Sequence, residues 1–336
     1  MDTAATQDDY LSYYKYGAIA PKYYKMFGKE ETDRYYAHIL GLLKPYLSSN
    51  SRLLDVAGAW GELAKFLSDK GLQNIVVADA NENCVNAAQE KGIVAKQCTS
   101  LDMAEAWSEK FDIIILNHTL EHILNVQKTM ENIHALLKDG GHLFIEIPDA
   151  ASYANEESAP FNFLTYEHVL HLTANDLKNL AAVYGYHVVE MGEYYKKVSS
   201  YPSIYAVLEK TGIKKAPTHS DIGKTSMERY IEKSKQMVDQ FLAPLRASAE
   251  PLVLWGIGAS TAILIDSFSG CNVRALIDSN PQRQGLAFAI DGNKYVIESP
   301  ETVREGTIVI LSIPYHTSIE KQIRAMGLQN KIVALT

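Results

Sequence analysis

The chain has 336 residues, of which 47% are hydrophobic and 21% are charged, so it can build two cores of ordinary size and is not expected to be disordered. Its formal net charge of −8 at pH 7 argues against a nucleic-acid partner, because nucleic-acid binders concentrate Lys and Arg on one face. The three cysteines are far apart and form no CxxC pair, which excludes a disulfide framework and a zinc ribbon.

The N-terminal segment, residues 1–48, is polar and rich in tyrosine. Eight tyrosines fall between residues 10 and 36, and none of the apolar runs there is typical of a signal peptide. No stretch of the chain approaches the roughly 18 apolar residues that span a bilayer. We therefore predict a helical N-terminal segment in a cytoplasmic protein that acts on small molecules and has no membrane partner. Its tyrosines either pack against a sheet edge or present aromatic faces to a ligand.

Short β-rich runs alternate with amphipathic segments across residues 49–210. The runs RLLDVA, NIVVAD, FDIIILN and HLFIEIP are separated by helical patterns, which predicts parallel strands joined by crossover helices in a doubly wound α/β domain. Asp139-Gly140-Gly141 is expected to close the long helix before the last of these strands, since glycine tolerates the left-handed cap conformation. Two further runs, 184–195 and 203–210, predict an antiparallel pair that finishes the sheet.

Small residues occupy the turn after the first strand, Gly58-Ala59-Trp60-Gly61, where backbone N–H groups and a helix N-terminus can approach a ligand closely. Asp79 ends the second strand about twenty residues later and can accept hydrogen bonds from both hydroxyls of a ribose. The third and fourth strands end near Ser100 and Asn117. We expect all four tips to line one crevice at the carboxyl edge of the sheet.

The motifs LLDVAGAWG, VVADAN, FDIIILNHTLEH and LLKDGGHLFIEIP, in this order and spacing, resemble those of the class I S-adenosylmethionine-dependent methyltransferases. The resemblance implies a mostly parallel seven-stranded sheet and S-adenosylmethionine as the cofactor. It also implies the cofactor contacts, which are Asp55, Ala57, Gly58, Ala59 and Gly61 around the methionine part, Asp79 and Ala80 at the ribose, Ser100 near the adenine, and Asn117 and His118 at the sulfonium.

Two positions of the glycine-rich turn depart from that pattern. Ala57 and Ala59 stand where the superfamily usually has glycine, and a methyl group there narrows the space for a ligand. Two alternatives stay open: an NAD-binding Rossmann domain, although GxGxxG is not matched between residues 55 and 62, and a domain that has lost cofactor binding.

The resemblance also suggests substrate contacts. An N-terminal segment often lies over the cofactor crevice in this superfamily, so Tyr13, Tyr14 and Tyr16 are candidate lid residues. His122 is a further candidate substrate contact. The letters from His118 to His122 read as HxxEH, a zinc-protease motif, but a strand tip is the wrong context for it. Because no acidic ligands cluster in the sequence, we predict no metal.

The segment FNFLTYEHVLHL, after the fifth predicted strand, carries the candidate catalytic residues. It is similar to the YHEH-type segment of sugar C-methyltransferases, in which the second histidine is taken as the general base. His168 matches that base and Glu167 the acid before it, while Tyr166 stands where that pattern has its first histidine. His171 is a further candidate. The alternative is that both histidines are structural.

Residues 211–249 form a predicted helical linker to a second, smaller Rossmann-like domain at 250–336. There a strand, a glycine turn and a helix precede Asp278, and residues 278–285 are similar to the D-x-N-P-x-x-Q-G element of the sugar C-methyltransferases. We therefore expect methyl transfer to a nucleotide-linked sugar or glycan precursor, by a monomer or homodimer. Those relatives begin with a cysteine-rich zinc module, for which this chain has no cysteines. The alternatives are an O-methyltransferase of another small metabolite, an NAD-dependent enzyme, and a non-catalytic nucleotide-binding or scaffold protein.

Overall fold

The computed structural model describes residues 29–155, 159–165, 167–195, 202–258, 264–312 and 315–335. By their contacts these residues divide into two units. The first runs to Ser152 and resumes over Val169–Lys224, and the second comprises Tyr153–His168 and the chain from Thr225. None of the helices in the described ranges is both long and apolar enough to cross a membrane.

The first unit is built on a seven-stranded sheet with helices on both faces. Its strands are β1 (Leu53–Val56), β2 (Ile75–Asp79), β3 (Val94–Gln97), β4 (Phe111–Asn117), β5 (Leu137–Pro148), β6 (Tyr186–Tyr195) and β7 (Pro202–Lys210). Its helices are α1 (Lys29–Leu43), α2 (Glu62–Asp69), α3 (Glu82–Glu90), α4 (Met103–Ala106), α5 (Val126–Leu136) and α6 (Ala174–Tyr184), with short 3₁₀ turns at Lys44–Tyr46 and Leu120–His122.

The strand order is β3-β2-β1-β4-β5-β7-β6. β1 to β5 are parallel, and β7 is inserted antiparallel between β5 and β6. The order reverses between β1 and β4, so the ends of these two strands open a crevice at the carboxyl edge, where ligands bind in doubly wound sheets. This topology confirms the predicted methyltransferase sheet.

β1 is buried at all four positions because the sheet is covered on both faces, which explains why its residues do not alternate between polar and apolar. One face packs on α5 and α6, and the other on α1, α2 and α3. On α1 the buried positions recur with helical spacing and form one apolar stripe. These positions are Tyr35, Tyr36, Ile39, Leu42 and Leu43. α1 therefore lies against the face that also carries the end of β4.

The prediction that Asp139-Gly140-Gly141 caps a helix is wrong. α5 ends at Leu136, and these residues belong to β5. Leu137 pairs with Phe111 and His142 with Ile113, so the residues between form a bulge. Gly140 has φ +71°, and a Cβ at Gly141 would lie 2.9 Å from a backbone oxygen. The two glycines therefore permit a bulge in β5. A bulge requires the same backbone freedom as a helix cap.

The second unit contains a six-stranded sheet in the order β10-β11-β9-β8-β12-β13. Its elements are α7 (Ile222–Arg246), β8 (Leu252–Trp255), β9 (Val273–Ile277), β10 (Ala287–Ile290), β11 (Asn293–Glu298), β12 (Thr307–Ile310), α8 (His316–Ala325) and β13 (Ile332–Ala334), with 3₁₀ turns at Tyr153–Asn155, Asp266–Phe268 and Pro300–Thr302. All neighbouring strands are parallel except the β10–β11 hairpin. This sheet confirms a second Rossmann-like domain.

A loop of the second unit is pinned to α7. The backbone N–H of Phe163 donates to the hydroxyl of Tyr230 at 3.0 Å, and that of Phe161 donates to Ser234 Oγ at 3.0 Å. The rings of Tyr153 and Phe163 stack with centroids 4.4 Å apart. Residues 153–155 and 159–165 thus include side chains and backbone groups that contact the helix that the sequence predicted as a linker.

Candidate functional site

The turn that follows β1 adopts backbone conformations typical of glycine, although alanine occupies two of its positions. Ala57 has φ 55° and Ala59 has φ 47°, which lie in the left-handed region. An alanine there is strained by roughly 1–2 kcal/mol, because its Cβ approaches the following carbonyl oxygen. Strain of this kind is retained where the surrounding structure fixes it, and it concentrates at functional sites.

Backbone hydrogen bonds tie this turn to β2. The N–H of Ala57 donates to the carbonyl of Ala78 at 2.7 Å, and the N–H of Ala59 donates to Oδ2 of Asp79 at 2.9 Å. Gly61, at φ 70°, opens α2, and a Cβ on it would lie 2.8 Å from that of Ala88. Any larger residue at 61 would therefore push α2 away from α3.

A cleft opens on this turn at the carboxyl edge of the sheet. Four predicted cofactor contacts line it, together with side chains that the sequence did not single out; the lining residues are Tyr36, Asp55, Ala57, Gly58, Trp60, Glu62, Leu63 and Asn117. The structure thus brings the ends of β1 and β4 together as expected.

Asp55 is the buried acid of the cleft, with 2% of its surface exposed. Burial, reinforced by the charge of Asp79, raises the pKa of Asp55 to about 7. Near neutral pH its carboxyl group is therefore divided between the neutral and charged forms. A cation bound beside it would favour the charged form, because opposite charges attract strongly where water is excluded.

Asp79 is held by backbone amides. Its Oδ2 accepts from Ala59, and its Oδ1 accepts from the N–H of Asn81 at 2.8 Å. Burial raises its pKa, and the two backbone bonds act in the opposite direction. Each carboxylate oxygen has two lone pairs, so both can still accept from a ribose hydroxyl.

Two other predicted contacts have polar partners of their own. The carbonyl of Ala80 accepts from Gln97 Nε2 at 3.0 Å. Ser100 Oγ accepts from Thr129 Oγ1 at 2.9 Å.

His118 lies between two buried glutamates. Its Nδ1 is 3.2 Å from Oε1 of Glu121 and its Nε2 is 3.2 Å from Oε1 of Glu146, while those carboxylates are 2% and 0% exposed. Its backbone is left-handed at φ 50°. Both ring nitrogens thus face carboxylates of the same unit, which ties the end of β4 to β5.

The remaining predicted residues are distributed over both units. Glu167 and His168 belong to the second unit, where the N–H of His168 donates to the carbonyl of Thr165 at 3.2 Å. His171, in the first unit, is partly buried, and burial lowers its pKa. His122 is partly buried in the 3₁₀ turn after β4. Tyr13, Tyr14, Tyr16 and Tyr166 lie outside the described residues.

Sequence reasoning missed the contribution of α1 and of one buried acid. Tyr36 lines the cleft, and the hydroxyl of Tyr35 donates to Oδ1 of Asn117 at 2.5 Å. Glu146 pairs in register with Asn117 across the sheet. Its signal was visible as a charged residue inside the apolar run HLFIEIP, whereas nothing in the tyrosine-rich segment distinguished Tyr35 and Tyr36 from their neighbours.

A family model described as a methyltransferase domain matches residues 29–191, which include α1, the turn after β1 and β6 as far as Met191. This stretch, a little under half of the chain, is similar to the methyltransferase domain family. The match confirms the prediction of a methyltransferase domain.

Curated relatives resemble only part of this chain. A ubiquinone/menaquinone biosynthesis C-methyltransferase of Hydrogenovibrio crunogenus is 29% identical over 102 residues, which are 28% of this chain and 40% of that protein. A ubiquinone biosynthesis O-methyltransferase of Coxiella burnetii is 30% identical over 97 residues, which are 27% of this chain and 41% of that protein. The chain thus spans about two fifths of the length of these relatives.

Solved structures of methyltransferases are similar to part of this chain. The N-methyltransferase NodS of Bradyrhizobium japonicum has a TM-score of 0.43 and 17% identity, and the match covers 54% of this chain and 97% of that one. An S-adenosylmethionine-dependent methyltransferase of Archaeoglobus fulgidus has a TM-score of 0.46 and 16% identity, with coverage of 56% and 99%.

The hydrogen-bond donors and the backbone of the cleft are compatible with an adenosyl amino acid as ligand. The indole N–H of Trp60, which lines the cleft, has no hydrogen-bond partner among the described residues. At Gly58 a Cβ would lie 2.7 Å from Oδ2 of Asp55, so the bare glycine lets the turn lie directly on that acid. The cleft thus has an unsatisfied hydrogen-bond donor, on Trp60, and a buried acid, Asp55. These suit a ligand that carries a negative and a positive group.

Proposed function

We propose that this protein transfers a methyl group from S-adenosylmethionine to a small-molecule acceptor. The observation that carries the proposal is the strained turn at Ala57 and Ala59, which keeps left-handed conformations without glycine and lies between two buried acids in a methyltransferase domain. Backbone strain of this kind concentrates at functional sites, which favours a turn that binds a ligand.

Each part of the cofactor has a proposed set of contacts. The turn from Ala57 to Gly61 and the carboxyl of Asp55 hold the methionine part, whose ammonium suits an acid that titrates near neutral pH. Asp79 accepts from the ribose hydroxyls, and the residues around Ser100 meet the adenine. When bound, S-adenosylmethionine supplies a methyl group activated by a positive sulfur, and Asn117 and His118 lie at the strand end that faces it.

Proton removal from the acceptor is assigned to His168, assisted by Glu167 or Tyr166. Displacement at the methyl carbon needs alignment and exclusion of water, and an acceptor hydroxyl or activated carbon must lose its proton. A histidine titrates in the range where this transfer is useful. His171 is the alternative base.

The acceptor class rests on the second unit. Its Rossmann-like strand order and the residues Asp278 to Gly285 support a nucleotide-linked sugar or glycan precursor as acceptor. The rival acceptor is another small metabolite methylated on oxygen. Incubating the chain with S-adenosylmethionine carrying a ¹³C-methyl group and a panel of nucleotide sugars, followed by NMR of the product, separates carbon from oxygen methylation.

Thermal unfolding with added ligands tests the cofactor. A ligand at about 100 times its dissociation constant stabilises the folded state by roughly 2.7 kcal/mol. S-adenosylmethionine and S-adenosylhomocysteine should raise the melting temperature, and NAD should not. A response to NAD alone would replace this proposal with a dinucleotide enzyme, and no response to any of the three would leave a non-catalytic protein.

A further inference from the structure

Tyr35 and Asn117 connect α1 to the wall of the cofactor cleft. The Tyr35 side chain is only 9% exposed, and its hydroxyl donates to Oδ1 of Asn117 at 2.5 Å. Asn117 ends β4 and lines the cleft. A helix outside the sheet thereby reaches a side chain that faces the ligand.

Tyr35 is well suited to remain a donor. Burial, and after it the negative charge of Glu146 and a hydrogen bond with that carboxylate, raises the pKa of Tyr35 well above its usual value. Its phenol therefore stays protonated throughout the pH range in which proteins are normally folded. Its ring is also fixed, because it lies 5.7 Å from the ring of Tyr36 and 5.4 Å from that of Tyr194.

An asparagine amide has an acceptor end and a donor end at opposite corners. When Oδ1 of Asn117 is bound by Tyr35, the free corner is Nδ2, which donates hydrogen bonds. The other polar side chains of the cleft include the acids Asp55 and Glu62, which suit a cation. An anionic group in the same cleft needs a donor, and Asn117 supplies one without adding a charge.

We infer that Tyr35 is a positioning residue of the cofactor site: its hydroxyl fixes the amide of Asn117 so that Nδ2 donates to the carboxylate of the methionine part. This inference rests on the proposed function, because it assigns a role in the S-adenosylmethionine site. It predicts that Tyr35 affects binding of the amino-acid part of the cofactor and not of its nucleoside part.

Isothermal titration calorimetry on the full chain, with two ligands, tests this role. S-adenosylhomocysteine carries the amino acid, and 5′-methylthioadenosine lacks it. Tyr35→Phe should weaken binding of S-adenosylhomocysteine about tenfold, the size of one charge-assisted hydrogen bond, and leave methylthioadenosine binding unchanged. Tyr205→Phe is the matched control, since Tyr205 lies on the neighbouring β7 with its hydroxyl over Gly192 and away from the cleft lining.

A second variant isolates the pair. In an Asn117→Ala background, Tyr35→Phe should produce no further loss, because the amide that it orients is gone. Equal weakening of both ligands by Tyr35→Phe, or the same loss in both backgrounds, would show a merely structural role and overturn the inference. If the unmodified chain bound neither ligand, the proposed function itself would fail, and this assignment with it; normal binding that Tyr35→Phe does not alter would overturn this assignment alone.

Discussion

The backbone N–H of Ala59 donates to Oδ2 of Asp79 at 2.9 Å, so the strained turn after β1 is held by the acid at the end of β2. The other carboxylate oxygen, Oδ1, accepts from the backbone N–H of Asn81, the residue that immediately precedes α3. One carboxylate thus fixes two neighbouring strand ends. The residue predicted to bind the ribose also maintains the shape of the turn predicted to hold the methionine part.

Ala57→Gly and Ala59→Gly should each stabilise the protein. Glycine removes the strain of a left-handed alanine, which costs roughly 1–2 kcal/mol. It also gives the unfolded chain more conformational entropy, which lowers the free energy of unfolding by roughly 0.5–1 kcal/mol. The free energy of unfolding in urea should therefore rise by up to about 1.5 kcal/mol. Ala87→Gly, in the interior of α3, is the control and should lower it by about 1 kcal/mol. Destabilisation by both turn substitutions would show that the methyl groups make contacts worth more than the strain.

Asp79→Asn should destabilise the fold and weaken cofactor binding together. An asparagine offers one acceptor oxygen, so either Ala59 or Asn81 would face an amide NH₂ in place of an acceptor. An unsatisfied buried donor costs about 1–3 kcal/mol, which urea unfolding would detect. Glu82→Gln, an exposed acid at the start of α3, should change neither property. If Asp79→Asn matched the parent in stability, the two backbone bonds would not hold the turn.

Stability should fall with rising pH because of Asp55. Its pKa is about 7 in the folded protein against 3.8 for the free side chain, so the folded state binds more protons between those values. The contribution of this group is complete below the unfolded pKa and is lost as pH rises through about 7. Urea unfolding of the parent and of Asp55→Asn from about pH 5 to 8 measures it, since the difference between them should change with pH across that window. If the difference in the free energy of unfolding between the two proteins stayed constant over this pH range, the carboxyl group of Asp55 would be ionised throughout it, as an ordinary carboxylate is.

Replacing His168 by Ala should reduce turnover by at least about 10²-fold while leaving S-adenosylhomocysteine binding intact, because a general base acts on the acceptor and not on the cofactor. His219→Ala, an exposed histidine on the chain before α7, is the control. Near-normal turnover of His168→Ala would transfer the role of base to another residue, and the same substitution at His171 would then be the next test.

The sequence predicted the sheet and the polar residues near the ends of its strands, because β1, β2 and β4 are largely apolar runs with Asp55, Asp79 and Asn117 at or next to their carboxyl ends. These features are local in the chain. The contribution of Tyr35 depends on where α1 packs, which is a tertiary property that the tyrosine pattern alone does not specify. Gly140 and Gly141 were assigned to the wrong element, since a helix cap and a strand bulge require the same backbone freedom.

Calorimetric titration of the chain with S-adenosylhomocysteine, and separately with NAD, decides whether the cleft at Asp55 binds an adenosyl amino acid. We expect one S-adenosylhomocysteine site per chain, weakened by Asp55→Ala and unaffected by the exposed control Asp69→Ala on α2. The absence of S-adenosylhomocysteine binding, or binding that Asp55→Ala leaves unchanged, would contradict it.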